Sequence, residues 1–205
     1  MPLPERIAIA TRNPHKLREL ARICSDWPVA WVTVHTADPA SFPEVEETGD
    51  TYRDNALLKA RAVAVALGLP AIADDSGIEV DALGGRPGVR SARYAGDGAT
   101  DERNLQELIR AVRGIPASGR IARYRCSAVL ARPDGTEVDA EASCEGTLRK
   151  EPRGERGFGY DPIFEPIGWD RTMAELTDEE KDRISHRGKA FRALRSLLDA
   201  DPAAG

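Results

Sequence analysis

The segment Leu69-Pro70-Ala71-Ile72-Ala73-Asp74-Asp75-Ser76-Gly77 constrains this chain more than any other. Residues 71–73 read as a short apolar strand, and two adjacent aspartates follow it directly. A carboxylate beside a core is costly unless it is paired, hydrogen-bonded or bound to a metal. Adjacent strand residues point to opposite faces, so only one of the two should readily enter a given cleft. Gly77 would let the backbone turn sharply, and residues 78–80 resume the strand. The competing reading is a tight turn whose aspartates bond their own backbone.

The flanking sequence predicts alternating strands and helices. Residues 6–10 form a buried strand, Asn13 caps a helix opened by Pro14 and running to about residue 24, and a second strand spans 29–34. Residues 35–49 are rich in Pro, Asp and Glu and read as a loop. Helical spacing holds from 51 to 67, and Gly68 with Pro70 stops it. A helix fits 101–113, and strands fit 120–131 and 136–148, joined at Pro133-Asp134-Gly135. Residues 154–160 are a glycine-rich loop, and helices near 173–182 and 189–199 close the chain. The mixture is α/β with a partly antiparallel sheet.

With 205 residues, one domain over 1–205 is expected, in one or two lobes. A hydrophobic fraction of 41% excludes general disorder. The formal charge of −5 argues against a nucleic-acid partner, which would want a basic surface. No apolar run reaches the ~20 residues needed to cross a bilayer, and the N-terminus has no signal-peptide pattern. Cys24, Cys126 and Cys144 lack metal or disulfide-framework spacing and read as buried thiols of a reducing, cytoplasmic compartment.

Four further constellations could carry chemistry. Thr11-Arg12-Asn13-Pro14-His15-Lys16 stands at a strand-to-helix junction, where unpaired N–H groups, the helix dipole and the Lys16 ammonium favour a phosphate. Glu46-Glu47-Thr48-Gly49, followed by Asn55 and Lys59, brings a carboxylate of interest if another lies near it in space, because magnesium takes few carboxylates plus phosphate and water oxygens. In Gly157-Phe158-Gly159-Tyr160-Asp161-Pro162, glycines beside an aromatic let a flat ring approach and stack. Lys181 and Ser185-His186-Arg187-Gly188-Lys189 offer many donors and few acceptors, which suits carbonyl oxygens on a base; the bland alternative is a solvated link between helices. No P-loop, dinucleotide fingerprint or HExxH zinc motif occurs.

In this order the segments resemble the inosine/xanthosine triphosphate pyrophosphatase family. The stretches that carry the resemblance are ATRNPHKLREL (10–20), EETGDTYRDNALLKARA (46–62), LPAIADDSGIEVDALGGRPGVRSARYAG (69–96), GFGYDPIF (157–164) and AELTDEEKDRISHRGKA (174–190). The resemblance implies an elongated mixed sheet flanked by helices, two lobes around a cleft, and a homodimer. It implies that Thr11, Arg12, Asn13, Pro14, His15 and Lys16 hold the triphosphate, and that Glu47 and Asp75 hold Mg2+. Asp75 would also accept the proton, and Ser76 would contact substrate. Phe158, Gly159, Tyr160, Asp161, Lys181, His186 and Arg187 would hold the base and sugar. Arg12 stands where many relatives have glycine, a departure expected to alter phosphate contacts. The implied reaction is attack of water on the α-phosphorus of inosine or xanthosine triphosphates, giving a monophosphate and pyrophosphate. The rivals are a pyrophosphatase for pyrimidine or modified nucleotides and a nucleotide sensor without turnover.

Overall fold

The computed structural model describes residues 3–200. Its strands are β1 (Arg6–Ile9), β2 (Ala30–Val32), β3 (Ala71–Val80), β4 (Ile121–Ala131), β5 (Glu137–Leu148) and β6 (Phe164–Pro166). Its helices are α1 (Pro14–Ile23), α2 (Tyr52–Leu67), α3 (Asp101–Val112), α4 (Asp178–Ile184) and α5 (His186–Ala200). The six strands make one sheet in the order β2-β1-β3-β4-β5-β6. β1 pairs in parallel with β2 (Ile7 opposite Trp31) and with β3 (Ile9 opposite Ile72), whereas β5 and β6 pair antiparallel. The expected mixed α/β sheet is therefore what forms.

The chain divides into two compact units. The first comprises the residues up to Asp75, Cys126–Ala142 and those from Arg187 onward; the second comprises Ser76–Arg125 and Ser143–His186. In the first unit, strand alternation sends successive side chains into two different cores. Ile7, Ile9, Ile72, Cys126, Ala128 and Leu130 pack with Leu20 of α1 and Phe191, Leu194 and Leu198 of α5. Ala8, Ala10, Ala71, Ala73, Val129 and Ala131 pack with Ala56, Leu57, Ala60 and Val63 of α2. The alanines on that second face let α2 lie close to the strands. The second unit has a single core, in which Leu105, Leu108, Ile109 and Val112 of α3 meet Ile78, Tyr124, Cys144, Leu148 and Phe164.

Two sequence expectations are corrected here. β3 does not break at the aspartates: it runs unbroken through Asp74, Asp75, Ser76 and Gly77. Gly77 makes no turn and is absent from the glycines with positive φ. The charges that should have broken the strand are matched by cations brought from elsewhere, as described below. The helix expected near 173–182 is a single 3-10 turn at Met173–Glu175 followed by α4, which starts after Thr177. Thr177 Oγ1 accepts from the Glu180 N–H while the Glu180 carboxylate accepts from the Thr177 N–H, and this reciprocal cap fixes the start. Ser185 ends α4, α5 begins at His186, and residues 185–188 are buried, so the segment is not the solvated link that stood as the alternative to a donor cluster.

Candidate active site

The first unit assembles a charged cluster from α1, α2, β3 and α5. α1 starts where expected, because the Asn13 side chain accepts from the N–H groups of His15 (2.8 Å) and Lys16 (3.3 Å) and Pro14 follows it. Two of the N–H groups expected to face a phosphate are thus occupied by the cap. Thr11 Oγ1 accepts from the Asn13 N–H at 3.2 Å, which ties the turn together. The Arg12 guanidinium turns to the 39–44 segment, donating to the carbonyls of Phe42 and Pro39 and pairing with Glu44 at 3.6 Å. His15 shares a hydrogen bond with Arg18 at 2.9 Å.

Asp74 and Asp75 do point to opposite faces of β3. Asp74 is buried on the α1/α5 side, where its Oδ2 accepts from Arg187 Nε (3.1 Å) and a second guanidinium nitrogen (3.0 Å) and pairs with Lys16 Nζ (3.1 Å). The same guanidinium donates to Glu19. Burial alone would raise the Asp74 pKa, but Arg187, Lys16 and Lys59 outweigh it and hold the carboxyl well below the usual range. Arg187 is only 2% exposed, and its carboxylate partners outweigh the desolvation that opposes its charge. Arg187, which the resemblance assigns to the base and sugar, pairs its guanidinium with Asp74 and Glu19 in the first unit.

On the α2 side, Lys59 Nζ bridges the two carboxylates expected to hold metal, lying 2.6 Å from Glu47 Oε1 and 3.2 Å from Asp75 Oδ1. Asp75 is 6% exposed, and burial lifts its pKa above the usual carboxylate range against the pull of Lys59 and Lys16. Burial disfavours the Lys59 charge, yet Asp75, Glu47 and Asp74 together keep its pKa raised. The Glu47 segment is held to α2 by Asn55, whose Oδ1 accepts from the Gly49 N–H (2.8 Å) and whose Nδ2 donates to the Gly49 carbonyl (3.3 Å). A Cβ on Gly49 would fall 2.6 Å from Asp54 Cβ, so only glycine fits this approach. Lys59 has no role assigned by the sequence patterns. Its signal was present: it lies one helical turn beyond Asn55, on the helix that follows Glu47.

These residues fit a hard divalent cation. Two carboxylates, Glu47 and Asp75, converge on one point already occupied by an ammonium. No group of three or more His, Cys, Asp or Glu suited to a metal occurs among the described residues. A metal here would therefore take its remaining ligands from phosphate and water, as magnesium does.

The second unit holds the other predicted group. Asp161 is buried and accepts from Lys181 Nζ (2.5 Å), the Phe158 N–H (3.0 Å) and the Tyr124 hydroxyl (3.2 Å). Lys181 also lies 5.1 Å from the centre of the Phe158 ring. Gly157 has φ 73°, and a Cβ there would come 2.1 Å from Asp161 Oδ2, so the loop closes on the carboxylate only with glycine. The Gly159 N–H donates to Asp101 and the Tyr160 hydroxyl to the Ser91 carbonyl (2.7 Å), anchoring the loop to its own unit. His186 stacks on Tyr124, with ring centres 4.5 Å apart. Ser76 is half-buried at the start of this unit. The structure thus brings Phe158, Asp161, Lys181 and His186 together around Tyr124, a residue the sequence reading did not single out.

Comparison with known proteins gives the family and the fold. The Ham1 family model matches residues 7–197. The chain is 52% identical over 189 residues to a Streptomyces coelicolor protein named dITP/XTP pyrophosphatase, covering 92% of this chain and 94% of that one. A Bacillus subtilis protein of the same name is 46% identical over 192 residues, covering 94% and 96%. The solved structure of a HAM1 protein from Coxiella burnetii superposes with a TM-score of 0.85 at 39% identity, covering 97% of this chain and all of that one. The Staphylococcus aureus Ham1 protein gives a TM-score of 0.82 at 39% identity, covering 95% and 98%.

Proposed function

The chain belongs to the Ham1 family, and on that premise we infer that it is a nucleoside triphosphate pyrophosphatase acting on deaminated purine nucleotides such as inosine, deoxyinosine and xanthosine triphosphates. The observation that carries this reading is Lys59 held between Glu47 and Asp75, beside the Lys16–Asp74 pair. A cluster with two lysines and spare carboxylate capacity suits a triphosphate that arrives with its cation.

In the reaction, the oxygen of a water bonds to the α-phosphorus while the bond from that phosphorus to the bridging oxygen breaks. The electron pair leaves on pyrophosphate, and the water proton passes to Asp75. Burial raises the Asp75 pKa in the absence of metal, which favours this role, and a cation bound there would oppose the shift while activating the water. Lys59 orients Asp75, and Lys16 offsets charge on the phosphates from the first turn of α1. Mg2+ on Glu47 and Asp75, when bound, would neutralise phosphate charge and lower the pKa of water. Thr11 to Lys16 would face the phosphates, with Asn13 exchanging part of its cap for them. In the second unit, Lys181 and His186 would supply donors to the carbonyl at C6 of the base, where adenine carries an amino group. Phe158 would supply a stacking face.

The same reading makes the protein a cytoplasmic homodimer without nucleic-acid or membrane partners. Among the described residues no helix is long and apolar enough to cross a membrane. The deciding experiment incubates the protein with Mg2+ and a panel of inosine, xanthosine, adenosine and guanosine triphosphates, measuring pyrophosphate and orthophosphate separately. Pyrophosphate from the inosine and xanthosine nucleotides, at kcat/KM far above that for ATP, is expected. Orthophosphate as the first product, or equal use of ATP, would refute the reading. Light scattering at micromolar concentration should give about twice the 22.3 kDa chain mass.

A further inference from the structure

Tyr124 lies on β4, where Ala122 and Tyr124 are buried while Arg123 and Arg125 are less so. Strand alternation therefore aims the Tyr124 ring into the core of the second unit. There it packs between two rings. It meets Phe164 at 4.7 Å with planes inclined 60°, and the His186 imidazole at 4.5 Å with planes only 7° apart. Both geometries are favourable aromatic contacts, and together they fix the ring's position. From that position the hydroxyl reaches Asp161 Oδ1 at 3.2 Å. The other oxygen of Asp161 takes Lys181 Nζ and the Phe158 N–H.

We propose that Tyr124 is a positioning residue for substrate selectivity: its ring sets the plane of His186, and its hydroxyl sets the carboxylate that aims Lys181. One side chain thereby couples the two donors assigned to the base. Hydrogen-bond selectivity depends on donor direction as well as donor presence, because a misdirected donor cannot penalise the wrong base. The inference rests on the reading that Lys181 and His186 recognise the base.

The test compares wild type with Tyr124→Phe, Tyr124→Leu and Lys181→Met. Steady-state kinetics on inosine triphosphate and ATP are combined with the NMR shift of the His186 imidazole Cε1–H. Only His15, His35 and His186 contribute such signals, so His186→Asn assigns the resonance. Tyr124→Phe keeps the stack and should leave the His186 shift in place while lowering the inosine-to-adenosine ratio of kcat/KM by about three- to tenfold. Tyr124→Leu should remove the ring-current shift and compress the ratio by about ten- to a hundredfold, with KM for inosine triphosphate rising more than kcat falls. A structural role alone would lower activity on both substrates in proportion. That outcome in both variants, or an unchanged ratio in a folded Tyr124→Phe protein, would overturn the proposal. If Lys181→Met compresses the ratio and neither Tyr124 variant does, Tyr124 is excluded and the base reading stands. If Lys181→Met itself leaves the ratio unchanged, the base reading fails and the proposal falls with it.

Discussion

The two clusters of candidate site residues are built on different terms. In the first unit, the cations Lys16, Lys59 and Arg187 face the carboxylates Glu19, Glu47, Asp74 and Asp75. In the second, the single ammonium of Lys181 meets the single carboxylate of Asp161, and neutral donors from Phe158 and Tyr124 complete it. The first cluster leaves carboxylate in excess and splits its two aspartates, with Asp74 held low in pKa by three cations and Asp75 pushed up by burial. The second has matched charges and fixed geometry. The lesson concerns division of labour: a cluster with spare charge can receive a cation and move a proton, whereas a satisfied one can only present directed donors.

Asp75→Asn gives the sharpest break of this comparison. It keeps shape, removes the base and one metal oxygen, and should lower pyrophosphate release by about 10²–10⁴-fold. Calorimetry on the folded variant should still detect nucleotide. Near-normal turnover would remove Asp75 from the chemistry and leave the first cluster merely structural.

Stability offers the next contrast. Arg187→Met leaves Asp74 and Glu19 without their shared guanidinium and should cost about 3–5 kcal/mol in urea unfolding. Lys181→Met leaves Asp161 two remaining hydrogen bonds, so its cost should be smaller, about 2–3 kcal/mol. Equal losses would mean that charge excess does not distinguish the two clusters.

The smallest effect is in the pH dependence of stability, where the two aspartates should act with opposite sign. Asp74 has a depressed pKa in the folded state, so its contribution is present above the unfolded carboxylate value of about 3.9 and is lost as pH falls below it. Asp75 has a raised pKa, so between the unfolded and folded values the native state binds more protons, and stability declines as pH rises through that window. Asp74→Asn should therefore flatten the acid limb of a stability–pH curve. Asp75→Asn should instead remove a decline just above the usual carboxylate range and leave the protein no less stable at neutral pH. Denaturation midpoints across pH 3–8 check both; the same sign of change in the two variants would contradict the asymmetry.

Local signals in the sequence located most elements. Asn13 followed by Pro14 set the start of α1, helical spacing bounded α2, and Pro133-Asp134-Gly135 joined β4 to β5. Charge pairing between remote segments left no local signal. β3 was expected to break because Asp74 has no cation nearby in the chain; its partner Arg187 is 113 residues away. The burial of residues 185–188 has no local signal, because the carboxylates that neutralise Arg187 are equally remote, with Glu19 separated from it by 168 residues. β6, three residues long and made as a strand by its pairing with β5, carries no periodic signal of its own.

The sequence by itself determined the order of elements, the opposite facing of Asp74 and Asp75, and the motifs that mark the family, because capping, strand alternation and turn chemistry act between near neighbours. Tertiary structure alone decided which charge meets which. It placed Lys59 between Glu47 and Asp75, gave Arg187 to Asp74 and Glu19, and set Tyr124 against both His186 and Asp161. Those choices depend on burial and on the approach of distant segments. Desolvation sets the strength of a charge, and no pattern along the chain records how much water the folded protein will remove.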